Sequence, residues 1–242
     1  VVGYRAGYQL SGTSSNNVIM GYGVMGGSST NGDNNVAIGY NVMSSNDLNT
    51  ADNNISIGHS ALLAITTGDS NVAVGKSAGD AMTTTSECVL IGYNAGTAIS
   101  DTGSDGTVAI GWNAGAAITN GEKNTAVGYE ALKTEDDGDF NTAIGYAALK
   151  TLNASSGQGD NTAIGYNAGT LITGGKGNTI IGSLAADALT TGLNNVVIGK
   201  NALGTADGGE SENICVGNLT MSSCDEGVSD TIDNNIAIGR AA

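Results

Sequence analysis

The sequence predicts an all-β chain folded as a parallel β-solenoid, or β-roll, with about 17–18 residues per coil. Three observations predict it. A glycine-anchored motif recurs from one end of the chain to the other, as tandem-repeat architectures require. The residues around each anchor keep the same chemistry from copy to copy. The composition is also unlike that of a mixed enzyme domain: 39 of 242 residues are Gly, none is Pro, and only 13% are charged.

The anchors are Gly3, Gly21, Gly39, Gly58, Gly75, Gly92, Gly111, Gly128, Gly145, Gly165, Gly182, Gly199, Gly217 and Gly239. Their spacings run from 17 to 22, and 17 is the commonest. A single array over residues 1–242, of about 13–14 coils, follows from that count. The extra residues are expected to leave the coil as loops, chiefly around Ser222–Asp233 and Asn153–Asp160.

Each coil should contribute one short strand. The residue before the anchor is aliphatic, as in Val127, Ile144 and Ile164, and the residue three before it is β-branched, as in Val108, Thr125 and Thr142. Positions two apart share a face of a strand. A strand this short cannot bury that face alone, so these two columns are expected to form the core by stacking on their copies. Three residues after the anchor Ala dominates, and the next position is often Gly or a large aliphatic. Where it is Gly, an aliphatic follows three residues later, as Met82 follows Gly79 and Ile99 follows Gly96. Where it is Leu, as at Leu132, that later aliphatic can be lost, here to Glu135. One interior volume is therefore filled from either place.

Two residues before the anchor the side chain is expected to point away from that core. The residues there are small or apolar, with Ala109, Ala126, Ala143 and Ala163 among them. An outward apolar stripe marks an interface, so these alanines are candidate contacts between copies of the chain. A homotrimer is the preferred assembly, because a thin coil closes naturally around a three-fold axis. A second inner layer within one chain is the alternative.

Three further columns carry chemistry. Four before the anchor stands Asn, from Asn17 to Asn235, interrupted by Cys88 and Thr107. Stacked amides can hydrogen-bond along a column, so this one reads as structural. One after the anchor is an aromatic-rich column, in which Tyr93, Trp112, Tyr129, Tyr146 and Tyr166 are candidate glycan contacts. Ring stacking along a sheet is the alternative. Six before the anchor is an acidic column: Asp33, Asp52, Asp69, Asp105, Glu122, Asp139 and, last, Asp233. With Asp136 and Asp137 in the adjoining insert, these are candidate ligands for calcium, a cation that prefers carboxylate and carbonyl oxygens. The alternative is that Asp simply favours turns.

Charge and motifs exclude several classes. The net charge of −15 argues against nucleic acid and against docking on anionic membranes. No apolar run is long enough for membrane insertion as a helix. Cys88, Cys215 and Cys224 do not make a disulfide framework, although Cys215 and Cys224 could pair. His59 has no second His for a metal site and no paired nucleophile for a triad. No phosphate-binding loop, zinc-protease helix or nucleophile elbow occurs, so the chain is not expected to be an enzyme and requires no cofactor.

The segment Asn124-Thr125-Ala126-Val127-Gly128-Tyr129-Glu130-Ala131-Leu132 resembles the repeats of bacteriophage tail-fibre proteins that carry an endosialidase-type chaperone. It also resembles the head repeats of YadA-like trimeric autotransporter adhesins, whose period is shorter. The resemblance spans essentially the whole chain. It implies a parallel β-roll in a homotrimer, placed outside the cell on a virion tail fibre or a cell-surface appendage, where it supports host attachment. The partners implied are further copies of the chain and a host-surface glycan or receptor. A bacterial adhesin head is the runner-up to a viral fibre segment. A carbohydrate-active β-helix enzyme ranks third, because the acids here lie in turns. Val1 begins in mid-strand and Ala242 follows a strand, so both ends are expected to continue into a longer fibre.

Overall fold

The computed structural model describes residues 1–10, 14–27, 31–45, 50–153, 157–206, 208–223 and 232–242. The chain is an all-β parallel solenoid divided into two compact units, Val1–Lys123 and Asn124–Ala242. Both are built from the same coil. Unit one carries β1 (Val18–Tyr22), β2 (Val36–Tyr40), β3 (Ile55–His59), β4 (Val72–Val74), β5 (Val89–Ile91) and β6 (Val108–Ile110). Unit two carries β7 (Thr125–Val127), β8 (Gly138–Asp139), β9 (Thr142–Ile144), β10 (Gly157–Gln158), β11 (Thr162–Ile164), β12 (Thr179–Ile181), β13 (Val196–Ile198), β14 (Ile214–Val216) and β15 (Ile236–Ile238).

Within each unit successive wall strands pair in parallel and in strict repeat register. In unit one Ala37 lies beside Ser56, and Ala73 beside Leu90. In unit two Thr162 lies between Thr142 and Thr179, and Ile181 beside Ile198. Every residue thus neighbours its own counterpart one coil away. The second expected insert contributes one extra short strand, β10, which pairs in parallel with β8 of the coil before. Most of the first, residues 224–231, lies outside the described residues, and with it the pairing of Cys215 with Cys224.

The anchor must be Gly for two reasons. Its φ lies between +129° and +146°, a region only Gly occupies without strain. It also sits directly against the backbone of the next coil. A Cβ on Gly145 would stand 2.2 Å from the carbonyl oxygen of Gly165, and one on Gly75 2.2 Å from that of Gly92. Three other positions per coil make left-handed corners, at five before, two after and four after the anchor. Asn34, Asn41 and Met43 are one such set, and Asp160, Asn167 and Gly169 another. Asn tolerates this conformation and Leu does not, yet Leu62, Leu132, Leu149 and Leu203 adopt it. Their side chains are fully buried. Burying a Leu stabilises by about 1.5–3 kcal/mol, enough to offset a left-handed cost of about 1–2 kcal/mol. Where Gly holds that corner the volume comes from elsewhere, as expected. A Cβ on Gly79 would meet the side chains of Met82, Leu62 and Leu90.

The two faces of the wall strand are the reverse of the sequence expectation. Ala109, Ala126, Ala143 and Ala163 are fully buried inside their own chain, together with Ile19, Leu90, Ile180 and Val197 from the same column. The columns expected to form the core face out instead. Ile91, Ile144, Ile164 and Ile181 are each 37% exposed, Val18 is 47% and Ile55 is 40% exposed. The alanines are therefore core residues and not contacts between copies. Size alone does not sort the faces, since Ile19, Leu90, Ile180 and Val197 are buried in the Ala column; the inward side is the one that carries the buried Asn amides and the anchor Gly.

Substitution at the anchor separates backbone approach from glycine's general flexibility. Gly145→Ala should lower stability by about 3–5 kcal/mol, from strain plus overlap with Gly165. Gly174→Ala, where the nearest atom to a new Cβ is 3.9 Å away, should change stability by less than about 0.5 kcal/mol. Urea unfolding of the two variants checks the contrast.

Candidate functional site: three side-chain ladders

The same stacking that places strands in register places side chains in ladders. The Asn ladder runs inside the coil. The Oδ1 of Asn178 accepts the backbone N–H of Asn195 at 3.0 Å, and its Nδ2 donates to the carbonyl of Gly192 at 2.8 Å. Asn35, Asn54 and Asn71 repeat this arrangement in unit one. One amide thus satisfies a backbone donor of the neighbouring strand and a carbonyl of the neighbouring turn, both buried. At Cys88 the ladder is taken over by a thiol, which lies 3.4 Å from the carbonyl oxygen of Ser104. Burial pushes that thiol up to about 12, so it is an inert core group and not a nucleophile.

The acidic column is a second ladder. Asp33 accepts the backbone N–H of Ser15 at 2.6 Å, Asp52 that of Asp33 at 2.7 Å, and Asp69 that of Asp52 at 2.7 Å. Ser86 continues the row, and Asp105 accepts the N–H of Ser86 at 2.8 Å. Each carboxylate satisfies a turn donor of the coil before it, which accounts for Asp at this position without a metal. Glu122 pairs with Lys123 at 3.0 Å. In the insert, Glu135 turns inward and is fully buried, in the position that Leu152 and Ile172 hold in their coils. Its Oε1 accepts the backbone N–H of Gly138 at 2.7 Å, and Asp136 accepts that of Asp137 at 2.9 Å. Asp139 sits in β8. Among the described residues, no group of three or more His, Cys, Asp or Glu is arranged to hold a metal ion.

The aromatic column lies on the outer face. Tyr4, Tyr22, Tyr40 and His59 form one run of parallel rings in unit one, with centroids 4.9–5.3 Å apart. Tyr93 stacks with Trp112 at 6.1 Å. In unit two Tyr129, Tyr146 and Tyr166 stack at 5.1 and 5.3 Å. The stacking reading therefore holds. It changes what a ligand could use, because stacked rings cover each other's faces and offer only edges and hydroxyls. Basic side chains close some run ends: Arg5 lies over Tyr4 and Lys76 over Tyr93.

Beside this column lies a charge cluster not singled out in the sequence. Glu130 pairs with Lys133 and Lys150, both at 2.6 Å. The Lys133 and Lys150 hydrogen bonds hold the Glu130 carboxyl below the usual carboxylate range, and the Glu130 bond raises Lys150. Glu130 follows Tyr129 directly, so its pairs with Lys133 and Lys150 bring the position five after the anchor alongside the aromatic column. The i, i+3 spacing of Glu130 and Lys133 was the available signal; the Lys150 partner needed the repeat register.

No family model, no curated protein and no solved structure matches this chain.

Two measurements follow. Because Asp33, Asp52, Asp69 and Asp105 already accept backbone N–H groups, thermal unfolding in calcium and in chelator should coincide, and Asp69→Ala should lower stability by about 1–2 kcal/mol in both. Glu130, with its depressed carboxyl, should contribute above the ordinary carboxylate range and lose that contribution as pH falls through the depressed value. Glu130→Gln should cost about 0.5–1 kcal/mol at neutral pH, less in high salt, and nothing in strong acid. Urea midpoints across pH read the difference.

Proposed function

We propose that the chain is a structural segment of an extracellular fibre, a viral tail fibre or similar surface appendage, and that it works as a homotrimer rather than as an enzyme. The observation that carries this reading is the outer face of the wall sheet. Positions one and three before the anchor place Ile, Val and Thr on that face coil after coil within each unit, and many of these apolar side chains stay more than a third exposed. A continuous apolar strip of this kind is costly in water and marks a surface that other molecules cover. A second and third copy of the chain present strips of the same repeat, so their coils can pack level with one another.

The ladders support the same reading. Their hydrogen bonds, ring stacks and glycine contacts join each coil to the next within each unit, as a fibre segment requires. The resemblance of the Asn124–Leu132 motif to tail-fibre repeats agrees with it, and host attachment is then the role of the whole fibre. Residence outside the cell and assembly without nucleic acid or membrane insertion belong to the same proposal; among the described residues no helix is long and apolar enough to cross a membrane.

Mass measurement of the native particle tests the assembly. Three copies are expected. Ile164→Lys together with Ile181→Lys should release folded monomers, since each lysine stays solvated in the free chain but would be buried between copies. Ala143→Arg should instead unfold the coil itself, because Ala143 lies in the chain's own core. A folded monomer in the unsubstituted protein would overturn the reading.

A further inference from the structure

The aromatic column of unit two stops at Tyr166. Its ring stacks on Tyr146 through one face. The opposite face points toward the next coil, where the column holds Ser183, and then toward the coil after that, where it holds Lys200. The register here is secure: the N–H of Leu184 donates to the carbonyl of Tyr166 at 2.8 Å, and that of Asn201 to the carbonyl of Ser183 at 3.1 Å. Tyr166 is 52% exposed, more than Tyr129 or Tyr146 below it.

One ring is therefore missing from the stack. Tyr166 and Lys200 stand two coils apart, about 10 Å at the spacing of parallel strands, with only a serine between them. That gap is about the thickness of one inserted ring with contact distance on either side. It differs from the ends closed by Arg5 and Lys76, where the chain lays its own cation over the ring.

The flank of the gap is polar. Asp187 lies five after the anchor, the position that Lys150 holds two coils earlier, where it pairs with Glu130 beside Tyr129. The Asp187 Oδ1 faces Gly204 of the next coil, 3.6 Å from where a Cβ on that glycine would stand. Asp187 and Lys200 form no salt bridge among the described residues, whereas Glu130, Lys133 and Lys150 neutralise one another.

We propose that this gap is a binding site for one neutral pyranose ring. The C–H face of the sugar lies on the free face of Tyr166, and its hydroxyls reach the Asp187 carboxylate as donors and the Lys200 ammonium as acceptors. Ser183 forms the floor and can do either. A flat apolar wall with a few converging polar groups is the ordinary makeup of a small-ligand site. A neutral sugar fits better than an acidic one, because Asp187 and the net charge of −15 both repel anions. This site is a single slot at the end of a stack, a narrower expectation than a glycan stripe along Tyr93, Trp112, Tyr129, Tyr146 and Tyr166. It goes beyond the fibre reading and does not depend on it.

The test is saturation-transfer NMR on the full assembled chain, with methyl β-galactopyranoside and methyl β-glucopyranoside as probes. Transfer to the protons of one sugar face is expected for at least one probe. Ser183→Tyr supplies the missing ring from the protein itself, so it should keep or raise the melting temperature and abolish the transfer. Tyr166→Ser removes the platform and should weaken binding by about tenfold or more, and Asp187→Asn should weaken it less. Tyr40→Phe, remote in unit one, should change nothing. No transfer to either sugar from the unsubstituted protein, or undiminished transfer to the Ser183→Tyr variant, overturns the site. Particle mass, recorded on the same samples, reports on assembly separately, so loss of the site and loss of the fibre reading are distinct results.

Discussion

Each coil lies directly on the next at the spacing of two parallel strands, and the anchor glycines are where that distance is enforced. With the Gly145 Cα pressed toward the Gly165 carbonyl, no side chain fits between the two backbones. The close approach fixes the register, since a shift by one residue would drive a Cβ into the neighbouring carbonyl. Register in turn makes every column a row of like residues. The ladders of Asn, Asp and aromatic side chains are consequences of that one contact.

Like residues stacked at such short range must suit one another, and the columns show three solutions. Amides do so by being donor and acceptor at once, so Asn178 can serve Asn195 and Gly192 together. Carboxylates cannot bond to each other and repel when close. The Asp column avoids this by turning each carboxylate onto a backbone N–H of the preceding coil. Aromatic rings stack, and a run ends where the chain changes residue type. A run end capped by Lys76 is internally complete; one facing Ser183 is open.

The outer strip and the gap above Tyr166 share an origin. Repetition extends whatever a coil presents, so an exposed Ile in one coil becomes an apolar strip along its unit, and copies of the chain carry strips of matching period. A break in repetition does the reverse. Ser183 and Lys200 depart from the aromatic column in two consecutive coils, with Asp187 in the first of them, and function that is local rather than architectural has to sit at such departures.

The sequence by itself determined the parallel solenoid, the glycine anchor, the structural Asn column and the exchange of interior volume between Gly79 with Met82 and Leu132. All of these follow from one-dimensional spacing, because a solenoid maps sequence period directly onto stacking. Only the tertiary structure decided which face of the strand is inside. Alternation assigns Ala143 and Ile144 to opposite faces but not to core or solvent, and here both are apolar. The parity of the Asn column held the answer: Asn141, Ala143 and Gly145 share one side, and an amide that satisfies buried backbone must lie within the coil. The pairing of Glu130 with Lys150, the inward turn of Glu135 and the opening beside Ser183 were likewise beyond the sequence. Each depends on the direction in which the left-handed corners bend the chain, which sets who meets whom across a coil.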